Sequence, residues 1–181
     1  MDKKHALSEC YPMPAIELEG YGAFFDKLMD AVRSSEVDEP LAEAIKAMAC
    51  GTVAQIDPAK LPYSRETYLR NYMGRDEASG WEAILMSWSG GNRTSIHSHP
   101  QFASYTFGSG RFLVEVFEPG REGAAVKVAE FEAEAGQDFH SIGEPGRMDN
   151  HIHRITCLSD KGFSLHVYSG DALEGLTYRE G

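Results

Sequence analysis

From Trp81 onward apolar residues recur at every second position, in short segments separated by turn-forming residues. A period of two is the mark of a strand with one buried face. The segments are WEAILMSW (81–88), TSIHSH (94–99), ASYTF (103–107), RFLVEVFE (111–118), VKVAEFEA (126–133), HIHRITC (151–157) and FSLHVYS (163–169). SGGN, GSG, PGREG, EPGRMDN and SDKG punctuate them. Many short strands joined by such turns predict a β-sandwich or a small barrel.

The first third has a different period. In AFFDKLMDAVRSSE (23–36), Phe24, Phe25, Leu28, Met29 and Val32 share one helical face. In DEPLAEAIKAMAC (38–50), Pro40 suits a first helical turn, Asp38 and Glu39 suit its positive end, and Leu41, Ile45 and Met48 form a stripe. Pro62 and Gly74 bracket an expected third helix over about Ser64 to Met73. The expectation is one domain over 1–181, with a helical part at 1–75 capping a β-barrel at 80–170.

Composition narrows the partners. A formal charge of −11 opposes phosphate backbones, so nucleic acid is not expected as a partner. No apolar run is long enough to cross a bilayer, and no membrane partner is expected. The N-terminal MDKKHALSECYPMP has lysines without a following apolar stretch, unlike a secretory signal. Cys10, Cys50 and Cys157 are odd in number and widely spaced, which fits neither a disulfide framework nor a CxxC zinc site. A reducing cytoplasm is the expected setting, and a monomer or small homo-oligomer the expected state.

The chemistry concentrates in the histidines. On an extended segment His97 and His99 point the same way, as do His151 and His153. One such pair is usually solvated; two pairs on strands of a barrel can hold a transition metal and leave positions open for catalysis. In FSLHVYS, Phe163, Leu165 and Val167 form an apolar face that seeks a core. Ser164, His166 and Tyr168 form the opposite, hydrogen-bonding face, expected to point into the cavity.

Gly91, five residues, His97-x-His99 and then Gly110 resembles the first motif of the cupins, without the glutamate usual between the second His and the last Gly. Together with WSGGNRTSIHSH, HRITC, SLHVYS and the YLRN segment at 68–71, it resembles the cysteine dioxygenase family of cupin-type thiol dioxygenases. The resemblance runs from about Tyr68 to Ser169. It implies a mainly β, jelly-roll-like cupin barrel and a mononuclear non-haem Fe(II), with Zn, Mn and Ni as alternatives. It implies His97, His99 and His153 as ligands, His153 being preferred because HRI matches the family's third-ligand segment; strand parity alone does not choose between it and His151. It implies Ser164, His166 and Tyr168 as a catalytic hydrogen-bonded set, and Arg70, helped by Tyr68, as the clamp for a substrate carboxylate.

The expected reaction is oxidation of L-cysteine to cysteine sulfinic acid by dioxygen. The alternatives are another small mercapto acid, such as 3-mercaptopropionate, or a metal-binding cupin of other function. Two positions depart from the family: Ala103 or Ser104 stands where some members carry a cysteine cross-linked to the tyrosine, and Cys157 stands where asparagine is usual. His5 and His140 are expected on the surface or in loops, Trp81 and Trp88 in packing, Cys157 as a small buried residue, and the acidic residues at 115–118 and 130–134 on solvated faces.

Overall fold

The computed structural model describes residues 16–17 and 21–181. The expectations for MDKKHALSECYPMP, His5 and Cys10 concern residues outside that description.

Helices α1 (Gly22–Arg33) and α2 (Glu39–Val53) form where the helical period predicts them. The Asp38 side chain accepts from Leu41 N at 3.0 Å and caps α2, an arrangement that contributes about 1 kcal/mol. The helices bury Phe24, Leu28 and Met29 from α1, and Leu41, Ala42, Ile45, Ala49 and Val53 from α2. Their counterpart is a sheet face carrying Leu85, Phe102, Phe163, Leu165 and Val167. Each such Leu, Ile or Phe withdrawn from water stabilises the cap by roughly 1.5–3 kcal/mol. No helix of the described residues is long and apolar enough to cross a membrane.

The strands are β1 (Ile16–Glu17), β2 (Leu69–Arg75), β3 (Glu82–Ser89), β4 (Ile96–His99), β5 (Phe102–Ser109), β6 (Arg111–Pro119), β7 (Ala124–Glu134), β8 (Asp138–Ile142), β9 (Asn150–Cys157), β10 (Lys161–Tyr168) and β11 (Thr177–Glu180). One sheet runs β1-β2-β3-β10-β5-β8; the other closes as β11-β4-β9-β6-β7, because β11 pairs with both β4 and β7. The fold is mainly β, with a helical cap on the outer face of the first sheet. Between the sheets lies a second core of Tyr68, Ile84, Met86, Trp88, Tyr105, Phe107, Phe112, Val114, Ile155 and Tyr168.

The structure corrects two expectations and refines a third, the surface placement of His140. The third helix does not form: Leu69–Arg75 pairs antiparallel with β3, Arg70 opposite Met86 and Tyr72 opposite Ile84. Arg70 therefore stands on a strand inside the predicted helical part, with Tyr72 two residues on sharing its face. His140 lies on β8, not in a loop, and its Nε2 meets Glu39 Oε2 at 2.9 Å. Glu115 is buried rather than solvated, gripped by the Arg154 guanidinium. Cys157 is buried in the core between the sheets, as expected.

Candidate metal centre

Strand β4 brings His97 and His99 from one sheet, and β9 sets His153 directly opposite His97. The three ring centroids stand 4.4–4.8 Å apart. One nitrogen of each ring lies within 4.8 Å of the other two. The rings are 5%, 0% and 1% exposed, so none is a solvated surface histidine.

The hydrogen bonds of the other ring nitrogens fix the tautomers. His97 Nδ1 lies 2.9 Å from the Ser95 carbonyl and His99 Nδ1 lies 2.8 Å from the His151 carbonyl. A carbonyl only accepts, so both Nδ1 atoms carry the proton and both Nε2 atoms keep a lone pair. His99 Nε2 is buried with no hydrogen-bond partner. An orphaned imidazole lone pair facing two similar rings is costly unless something electropositive meets it. Burial lowers the pKa of all three, His97 to about 4 and His99 and His153 well below the ordinary value, with the neighbouring imidazoles and Arg70 adding to the effect. The rings are therefore neutral at pH 7, the state a metal requires. The residues present fit a divalent transition metal, held by His97, His99 and His153.

Beside this triad runs a hydrogen-bonded row on β10. Trp88 Nε1 donates to Ser164 Oγ at 3.0 Å, Ser164 Oγ lies 2.7 Å from His166 Nε2, and His166 Nδ1 lies 2.8 Å from the Tyr168 hydroxyl. The predicted face assignment of FSLHVYS is what positions it: Phe163, Leu165 and Val167 face the helices, which turns Ser164, His166 and Tyr168 inward. Trp88, expected only to pack, anchors this row. Tyr168 is buried, and its ring stacks on His99 at 5.5 Å and 15°. Burial raises its pKa, so the phenol keeps its proton.

Arg70 is 2% exposed, and its charge is felt at His97, His166 and Tyr168. Its Nη2 donates to the Tyr72 hydroxyl at 3.1 Å and to Glu82 Oε1 at 3.4 Å, while its Nε is buried with no partner. Tyr68 is buried against Trp88, ring centroids 4.8 Å apart. Ala103 lies opposite Tyr168 across β5 and β10 and carries no sulfur.

Sequence reasoning did not single out Glu82, Tyr105 or the position of His151. Glu82 lies opposite Tyr168 on β3, fully buried, accepting from Arg70 and from Ala172 N at 3.0 Å. Burial pushes its carboxyl up to about 7, against the lowering pull of Arg70 and the Ala172 N–H. The signal was its place in EAILMSW, where alternation sets it on the same face as Ile84, Met86 and Trp88. Tyr105 stacks on His166 at 5.7 Å, and its hydroxyl lies 2.8 Å from His151 Nε2. His151 and His153 do lie side by side, centroids 5.0 Å apart, but His151 has φ 42°, so simple strand alternation is not the cause.

No family model matches the sequence, and no curated protein does. Solved structures resemble it at low identity. A cupin superfamily protein from Desulfitobacterium hafniense is 11% identical, with 63% of this chain and 87% of that one covered and a TM-score of 0.47. A Klebsiella pneumoniae protein with a double-stranded β-helix domain is 15% identical, with coverage of 70% and 96% and a TM-score of 0.46. KdgF from a Halomonas species is 15% identical, with coverage of 58% and 80% and a TM-score of 0.43. These similarities carry neither substrate nor reaction over to this chain.

Proposed function

We propose that this protein is a mononuclear non-haem iron(II) thiol dioxygenase whose substrate is a small mercapto acid, with L-cysteine, oxidised to the sulfinic acid, the leading case. The observation that carries the reading is a donor set of three neutral imidazoles, with no carboxylate grouped among them in the described residues, next to an inward-facing Ser–His–Tyr row. Uncharged donors leave the ion its full positive charge, which favours an anionic thiolate beside it. When bound, iron(II) supplies the redox chemistry by which both atoms of dioxygen end on the thiol sulfur, with no external reductant.

The chain's own groups orient and exclude. The unpartnered Nε of Arg70 offers a donor to a substrate carboxylate, and a guanidinium suits that partner geometrically. Tyr68, also buried, packs against Trp88. The Tyr168 phenol stays protonated and its oxygen is held by His166, which Ser164 and Trp88 fix in turn. The hydroxyl is thereby held ready to donate towards the reacting groups. Burial of every one of these side chains keeps water out and strengthens each polar contact.

The test is oxygen uptake by iron-loaded protein with cysteine, 3-mercaptopropionate and a thiol lacking a carboxylate. Turnover of cysteine or 3-mercaptopropionate supports the reading. Inertness towards both, or equal activity with zinc in place of iron, overturns it and leaves a metal-binding protein of other function. In the same assay Tyr168→Phe should lower kcat about 10²-fold or more while iron binding is unchanged, since it deletes only a positioned proton donor. A variant with unaltered kcat would remove Tyr168 from the chemistry.

A further inference from the structure

Two non-glycine residues among those described have positive φ, Glu122 in a turn and His151 beside the metal centre. A left-handed non-glycine residue inside a strand persists only where its surroundings hold it there, and such residues gather at functional sites. At His151 the ladder also slips: His97 pairs with His153, but His99 pairs with Asn150. His151 and Ile152 therefore stand against Ser98 alone, which is a β-bulge, a device that re-aims a residue.

What the bulge aims is specific. The His151 carbonyl accepts from His99 Nδ1 at 2.8 Å. The His151 ring Nε2 lies 3.2 Å from His153 Nδ1 and 2.8 Å from the Tyr105 hydroxyl, which is itself 3.3 Å from His153 Nδ1. The proton count closes in one way if His153 is to keep a lone pair on Nε2. His153 Nδ1–H donates to the Tyr105 oxygen, Tyr105 O–H donates to His151 Nε2, and the single Nε2 lone pair of His151 terminates the chain while also facing the His153 N–H. The Tyr105 ring is itself fixed by stacking on His166 and Phe139.

We propose that His151 is the positioning residue for two of the three metal ligands, its carbonyl orienting His99 and its ring, together with Tyr105, orienting His153. This rests on the metal centre alone and holds whichever reaction is run there. Partners of this kind hold a ligating imidazole in one tautomer and one rotation.

The experiment uses the full chain, first metal-free and then titrated with zinc in competition with a chromophoric chelator. His151→Gly accepts the positive φ and keeps the carbonyl but deletes the ring. It should bind zinc about 10- to 100-fold more weakly, while relief of the positive φ offsets part of the stability lost with the ring. Nitrogen-15 imidazole spectra of the metal-free variant should show His153 no longer held in a single Nδ1–H tautomer, while His99 is unchanged. His151→Gln returns an acceptor near the lost Nε2 and should recover part of the affinity. Tyr105→Phe keeps the ring stack, removes one partner of His153, and should weaken zinc about tenfold; it carries the test should His151→Gly not fold. Zinc affinity within twofold of wild type in both His151→Gly and Tyr105→Phe, or an unchanged His153 tautomer, would overturn the proposal. A wild-type chain that binds neither zinc nor iron would overturn the metal centre and this proposal with it.

Discussion

Bringing the metal-free protein from about pH 7.5 to about pH 5 should lower its melting temperature sharply. Burial holds the pKa of His97 and His151 down to about 4, of His166 to about 3, and of His99 and His153 well below the ordinary value. The unfolded chain protonates these rings near pH 6.5 and the folded chain does not. The unfolded state thus binds more protons, and stability is lost as pH falls from about 6.5 towards the folded values. His97, His151 and His166 each cost about 2 kcal/mol at pH 5, about 6 kcal/mol together, and His99 and His153 shift stability in the same direction. Glu82 works the other way, because its folded pKa is raised to about 7. Between about pH 4.5 and 7 the folded chain holds a proton there that the unfolded chain lacks, which returns about 3 kcal/mol on acidification. The net loss is at least about 3 kcal/mol, a large fraction of the stability of an ordinary domain. Saturating zinc should move the acid midpoint to lower pH, since bound ligands resist protonation. A melting temperature that stays level from pH 7.5 to 5 without metal would refute the burial of these rings.

The parts of this molecule legible in its sequence are those where one face meets an apolar core. FSLHVYS was readable because three apolar residues must face the helices, and that forces Ser164, His166 and Tyr168 inward. The α2 start was readable because Asp38 and Pro40 act locally. Strand β2 was not, because its identity depends on pairing with β3 rather than on its own pattern, and Pro62 and Gly74 punctuate a helix as well as a strand. Strand β8 was missed for a related reason: its residues are all partly exposed, so burial imprints no alternation on DFHSI.

At the site, alternation picked out His97 and His99 but could not separate His153 from His151. What separates them is a bulge and a left-handed residue, neither of which leaves a mark when the residue is not glycine. Glu82 and Tyr105 escaped because alternation gives only their face, and a single glutamate or tyrosine on it does not announce a partner. Their importance comes from what they meet on other strands, Arg70 on the neighbouring β2 for one and His151 on β9 for the other.

The pairing of Glu82 with Arg70 decides how the substrate clamp must be tested. On the proposed reading, Arg70→Met should lower kcat/KM for carboxylate-bearing thiols by about 30- to 1,000-fold, the cost of cutting one partner from a buried charged hydrogen bond. Zinc affinity should not fall, because Arg70 makes no hydrogen bond to His97, His99 or His153 and its positive charge, felt at His97, opposes a bound cation. The single variant also leaves Glu82 in the interior with only the Ala172 N–H at hydrogen-bond distance and the Arg75 guanidinium 3.9 Å away. A buried charge that loses a partner costs up to about 3–5 kcal/mol, less where a second cation such as Arg75 remains, so a loss of activity could come from a loosened fold. Glu82 can answer by taking a proton, which makes the stability loss smaller at pH 6 than at pH 8. Arg70→Met with Glu82→Gln removes both charges, and should restore the melting temperature without restoring kcat/KM for cysteine or 3-mercaptopropionate. A thiol with no carboxylate should be turned over equally by wild type and double variant, since it never used the guanidinium. Recovery of mercapto-acid turnover in the double variant would show that Arg70 serves only to neutralise Glu82, and the clamp would have to be sought elsewhere in the barrel.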